Sequence, residues 1–101
     1  MPTCIICEDE DLLRSQLKDT LSQTWPELVI AGEAADGVTG SRMIDDLRPD
    51  IAFLDIRMPG MSGIDVARHA AGRCHIIFIT AYDDYAIGAF VHGAVDYVLK
   101  P

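Results

Sequence analysis

Short apolar runs alternate with helical patterns along this chain. "TCIIC" (3–7), "IAFL" (51–54), "HIIFI" (75–79) and "VDYVL" (95–99) are compact and rich in branched or aromatic residues, as expected of strands covered on both faces. "LVIAGEA" (28–34) is a weaker fifth run. The segment after the first run starts at Glu10 or Asp11, carries Leu13, Leu17 and Leu21 on one face, and is stopped by Pro26, with Trp25 expected to close the helix against the core. A second helix is capped near Asp36 and turns Met43, Ile44 and Leu47 inward. Gly40 weakens it by roughly 1 kcal/mol relative to alanine. Ser62 caps a third helix through about Ala71, and Asp83 or Asp84 a fourth through about His92.

Strict strand–helix alternation predicts an α/β domain, a doubly wound parallel sheet with helices on both faces, because parallel neighbours need crossover connections. One domain over residues 1–101 is expected. The last strand runs directly into Lys100 and Pro101. A sheet of this kind normally continues into a helix, so the expectation is a domain truncated before its fifth helix, with an apolar strip open beside the first.

Half of the 101 residues are apolar, enough for a real core. The net charge of −8, with eight scattered basic residues, disfavours direct nucleic-acid binding by this segment. No apolar run approaches the roughly 20 residues of a membrane span, and the N-terminus has no export signal, so a cytoplasmic location without membrane contact is expected. The three cysteines do not make a disulfide framework. Cys4 and Cys7 have CxxC spacing, but strand positions three apart face opposite sides, which favours buried structural thiols over a redox or metal pair. His69, His75 and His92 fall in separate elements and read as structural or surface groups.

In an open α/β sheet, ligands bind beyond the carboxyl ends of the strands. Those ends deliver Glu8 and Asp9, Asp55, Thr80, and Lys100, while Glu33 and Asp36 after the second strand have no evident role. Three converging carboxylates repel one another unless a cation neutralises them, and oxygen-only ligation favours a hard ion, Mg²⁺ with retained waters. Asp55 is then a competent nucleophile toward phosphorus, giving an aspartyl phosphate, with charge on the transferred oxygens met by the metal, Lys100 and the Thr80 hydroxyl. In the loop after Asp55, Pro59 and Gly60 turn the chain, and Ser62-Gly63 start the next helix. A main-chain carbonyl such as that of Arg57 can face the metal, and the small Ala81 leaves room for a phosphoryl group.

"CEDED", "FLDIRMPGMSG", "FITAY" and "DYVLKP", in this order over the whole chain, resemble the receiver domain of two-component response regulators. The resemblance implies a flavodoxin-like, five-stranded sheet in order 2-1-3-4-5 and phosphorylation of Asp55 by a sensor histidine kinase with Mg²⁺. It makes Glu8 and Asp9 the acidic pair, Lys100 the site lysine, and Thr80 and Tyr97 the switch hydroxyl and switch aromatic. Their rearrangement would remodel the face of the fourth helix and fifth strand, through which the family forms homodimers or contacts an output domain. The family's Lys-Pro peptide is often cis, implying the same for Lys100-Pro101. Such a domain is a signalling phosphoacceptor rather than an enzyme with turnover, promoting only its own phosphorylation and dephosphorylation. "TAYDDYAIGAFVHGAVDYVLKP" further resembles receivers that precede a LytTR-type DNA-binding domain, which implies transcriptional regulation through an output domain beyond this segment.

Three other functions fit the residues less well. A phosphatase of the haloacid-dehalogenase class would need a second acid where Arg57 stands. An FMN carrier would need a Ser/Thr/Gly-rich loop after the first strand, where "EDED" repels phosphate. Against a phosphorylation-independent interaction module stands the complete set of site residues.

Overall fold

Each apolar run becomes a strand, and each intervening periodic segment that is described becomes a helix. The computed structural model describes residues 1–80 and 95–99, with Thr80 and 95–99 described by their main chain. The elements are β1 (Thr3–Cys7), α1 (Asp11–Thr24), β2 (Val29–Ala34), α2 (Gly37–Leu47), β3 (Ile51–Leu54), α3 (Gly63–His69), β4 (His75–Thr80) and β5 (Val95–Leu99). The expected fourth helix, 83–92, and the Lys100-Pro101 peptide lie outside the described residues.

The first four strands lie parallel in the expected order β2-β1-β3-β4, and the main chain of β5 pairs parallel with β4, from Ile76 opposite Val95 to Thr80 opposite Leu99. Register matters most between β1 and β3. Cys7 stands opposite Leu54, so the next residues, Glu8 and Asp55, leave the sheet side by side.

Side chains alternate between two apolar layers. Ile5, Cys7, Ala52, Leu54, Ile76 and Phe78 pack with Ile44 of α2 and Val66 and Ala67 of α3. On the other face Cys4, Ile6, Leu28 and Phe53 pack with Leu17 and Leu21 of α1. Cys4 and Cys7 therefore point to opposite faces, both buried, and burial pushes their thiols up to about 11 and about 12. They are protonated at neutral pH and unsuited to redox or metal chemistry.

Helix boundaries follow local chemistry. The Asp36 carboxylate accepts the Thr39 N–H at 2.7 Å and caps α2, a bond that holds the carboxyl below its usual range. Arg48, in the left-handed region at φ 46°, ends the helix just before the buried Pro49. Gly40 has a packing reason: an added Cβ would lie 2.6 Å from Cys7 Sγ, so the glycine lets α2 close on β1.

Two core expectations are corrected. Leu47 is 46% exposed because it lies over Gly32 on β2, the edge strand, where nothing described encloses its outer side. Trp25 is 38% exposed: it ends α1 by donating its N–H to the Leu21 carbonyl, and Leu28 takes the core position instead. The third helix ends at His69, earlier than the expected Ala71, and a turn containing Gly72 at φ +79° leads into β4.

Candidate functional site

Adjacent, in-register strands bring three acids to one edge. One carboxylate oxygen from each of Glu8, Asp9 and Asp55 falls within 4.8 Å of the others. Glu8 and Asp55 are only 5% and 7% exposed, while Asp9 opens to solvent.

The main chain fixes this arrangement. Glu8 N–H donates to the Ala34 carbonyl and Asp55 N–H to the Cys7 carbonyl, each at 2.9 Å, extending the ladders one step past the strands. Glu8 Oε2 accepts the Glu10 N–H at 3.1 Å, and Asp55 Oδ1 accepts the Ile56 N–H at 2.8 Å. Arg14, from the first turns of α1, donates through Nη1 to the Glu8 main-chain carbonyl at 2.6 Å. Its Nε lies 3.2 Å from Glu33 Oε1, and Lys18 Nζ lies 2.9 Å from the other oxygen of Glu33. Glu33 thereby acquires the role its sequence position did not suggest.

The loop after Asp55 is pressed between two helix starts. Gly63 N–H donates to the Ile56 carbonyl at 2.7 Å, and Gly37 N–H to the Pro59 carbonyl at 3.2 Å. A Cβ on Gly63 would stand 2.0 Å from the Asp55 carbonyl oxygen, and one on Gly37 only 1.9 Å from that of Met61. Ser62 Oγ caps α3 by accepting the Asp65 N–H at 3.2 Å. Arg57 is exposed in this loop, two residues after Asp55.

Three carboxylates this close, two of them withdrawn from water, favour a bound cation. The donor set is oxygen alone, which fits a hard divalent ion such as Mg²⁺ rather than Zn²⁺ or copper. The main chain of β4 ends at Thr80, opposite Leu99 of β5. The side chains of Thr80, Tyr97 and Lys100, and all of Ala81, lie outside the described residues.

Sequence reasoning missed Arg14 and Gly37. Arg14 offered one signal, its position three residues after Asp11, with which it forms an ion pair. The close approach at Gly37 has no local signature.

Comparison with known proteins decides the family. The family described as the response regulator receiver domain matches residues 4–101. The chain belongs to that family. An uncharacterized response regulatory protein of Vibrio cholerae is 45% identical over 102 residues, covering 98% of this chain and 39% of its own length. The transcriptional regulatory protein BtsR of Escherichia coli is 42% identical over 99 residues, covering 96% of this chain and 41% of its own. The receiver chain thus spans about two fifths of these curated relatives. Among solved structures, the response regulator domain of Thermotoga maritima CheB superimposes with a TM-score of 0.86 at 26% identity, over 100% of this chain and 79% of that one. The signal receiver domain of the putative response regulator NarL from Mycobacterium tuberculosis gives 0.86 at 29% identity, over 97% and 82%. The receiver fold, a flavodoxin-like α/β sheet, and a signalling role are therefore those of the family. Among the described residues, no helix is long and apolar enough to cross a membrane.

Proposed function

We propose that this receiver accepts a phosphoryl group on Asp55, from the phosphohistidine of a sensor histidine kinase, in a Mg²⁺-dependent reaction. The observation that carries the reading is the convergence of Glu8, Asp9 and Asp55 within 4.8 Å at the β1/β3 edge, with Glu8 and Asp55 buried. Glu8, Asp9 and Asp55 would hold the ion, with the Arg57 main-chain carbonyl as a further ligand; when bound, it neutralises charge on the transferring oxygens. A carboxylate oxygen of Asp55 attacks phosphorus, and the bond to the donor imidazole breaks. The Thr80 hydroxyl and the Lys100 ammonium meet the charge on the phosphoryl oxygens.

Thr80 and Tyr97 then rearrange and alter the face of the fourth helix and fifth strand, which forms a homodimer or engages an output domain. Residues 1–101 make up the receiver unit, continued by a fifth helix and a DNA-binding output domain of the LytTR type in a cytoplasmic transcriptional regulator. The name of BtsR, a transcriptional regulatory protein, and the chain's coverage of only 41% of its length support this extension.

Intact-protein mass spectrometry tests the central step. A small phosphodonor with Mg²⁺ should add a single phosphoryl group, and Asp55→Asn should abolish the uptake. Equal uptake by the variant, or none by the full chain, overturns the reading.

A further inference from the structure

We propose that Arg14 is a positioning residue for the cation site, holding the turn after β1 so that Glu8 and Asp9 meet Asp55. The inference rests on the Mg²⁺-binding reading above.

The guanidinium is a rigid planar fork, and each of its three nitrogens has an assigned partner. Nη1 donates to the Glu8 carbonyl at 2.6 Å, Nη2 to the Asp11 carboxylate, and Nε lies 3.2 Å from Glu33 Oε1. The side chain is 18% exposed, so these bonds are partly shielded from water. The Glu8 carbonyl belongs to the peptide plane that joins Glu8 to Asp9, and fixing that plane sets the directions in which both acidic side chains leave the chain. Glu33 anchors the far side of the fork. It stands on β2 opposite Ile6 and is also held by Lys18. One side chain thus references the Glu8–Asp9 peptide both to α1 and to the sheet.

Charge and positioning make opposite demands, which gives the proposal a clear test. Deleting a cation close to the three carboxylates, one that also pairs with Asp11 and Glu33, should tighten binding of a divalent ion if only charge counts. Loss of the fixed peptide plane should weaken it. Arg14→Lys separates the two further, because a single ammonium keeps the charge but cannot reproduce the fork.

The experiment is calorimetric titration of Mg²⁺ into the full chain and its Arg14→Ala and Arg14→Lys variants, alongside urea unfolding without metal. Both variants should bind Mg²⁺ about 10-fold more weakly, the order seen when a residue orienting metal ligands is lost. Tightened binding, unchanged binding in a folded but less stable variant, or wild-type affinity in Arg14→Lys overturns the proposal. Should Arg14→Ala fail to fold, Arg14→Lys carries the test. A wild-type chain that takes up no Mg²⁺ overturns instead the metal reading beneath it, so the two failures are distinct.

Discussion

The two ends of the sheet both carry acidic residues, and the ends use them in opposite ways. Where the strands begin, Asp50 Oδ2 accepts the Thr3 N–H at 2.8 Å, and Asp45 faces His69 Nε2 at 3.0 Å together with the Arg73 guanidinium. These carboxylates meet donors, and each ties one element to another. Where the strands finish, Glu8 and Asp55 also accept main-chain N–H groups, from Glu10 and Ile56, but they converge with Asp9 so that one oxygen of each lies within 4.8 Å of the others. The first arrangement stabilises the fold directly. The second gathers three acidic oxygens at one edge, an arrangement suited to holding a hard cation. Residue type does not distinguish the two ends; the groups that face each acid do.

The glycines flanking α3 allow the sharpest attempt to break this division. Gly63 opens the helix at the acidic end, where an added Cβ would stand 2.0 Å from the Asp55 carbonyl oxygen, a main-chain atom that cannot swing aside. Gly63→Ala should therefore cost about 3 kcal/mol, the upper range for overpacking, and displace Asp55. Thermal unfolding should show a Tm loss of roughly 10–20 °C for a domain of this size, with phosphoryl uptake falling in whatever fraction stays folded. Near-normal stability would mean that the loop gives way more easily than its hydrogen bonds to Gly63 and Gly37 indicate.

Gly72 lies beyond the other end of α3, with nothing within 4 Å of an added Cβ but with φ at +79°. Gly72→Ala meets only the strain of a left-handed residue, about 1 kcal/mol, and a Tm loss of a few degrees is expected. Phosphoryl uptake, read by mass spectrometry, should match the wild type. A loss of uptake comparable to that of Gly63→Ala would show that the ends are not independent.

The legible parts of the molecule were those set by short-range chemistry. The apolar runs gave β1, β3, β4 and β5, alternation gave a parallel sheet, the family resemblance its order β2-β1-β3-β4, and Asp36 and Ser62 announced their helices as caps. The meeting of Glu8, Asp9 and Asp55 was readable because parallel strands discharge their termini at a common edge. Leu47 and Trp25 were misread because helical spacing identifies a face without saying whether the sheet beneath extends far enough to cover it. Arg14 and Glu33 escaped because their bond joins a helix to an edge strand, and Gly37 because its closeness to Met61 depends on how a distant loop folds back. Such contacts are tertiary, and no local pattern encodes them.

The smallest expected effect comes from the opposite end of the sheet. The His69 bond, then Arg73, holds the Asp45 carboxyl below its usual range. A depressed carboxylate pKa adds stability that is complete above the unfolded value and disappears as pH falls through the folded one. Asp45→Asn should therefore lower Tm at neutral pH by less than Gly72→Ala does, since exposed ion pairs contribute little and are screened by salt. The gap between variant and wild type should begin to narrow as pH drops below about 4, the unfolded carboxylate's value, and close only below the lower folded one, where the carboxylate is protonated in both folded and unfolded chains. Phosphoryl uptake should be unchanged at neutral pH, because Asp45 links α2 to α3 at the end of the sheet away from Asp55. A gap that persisted in acid would mean that Asp45 acts through shape rather than charge, and a fall in uptake would mean that the brace reaches the acidic edge through the two helices it joins.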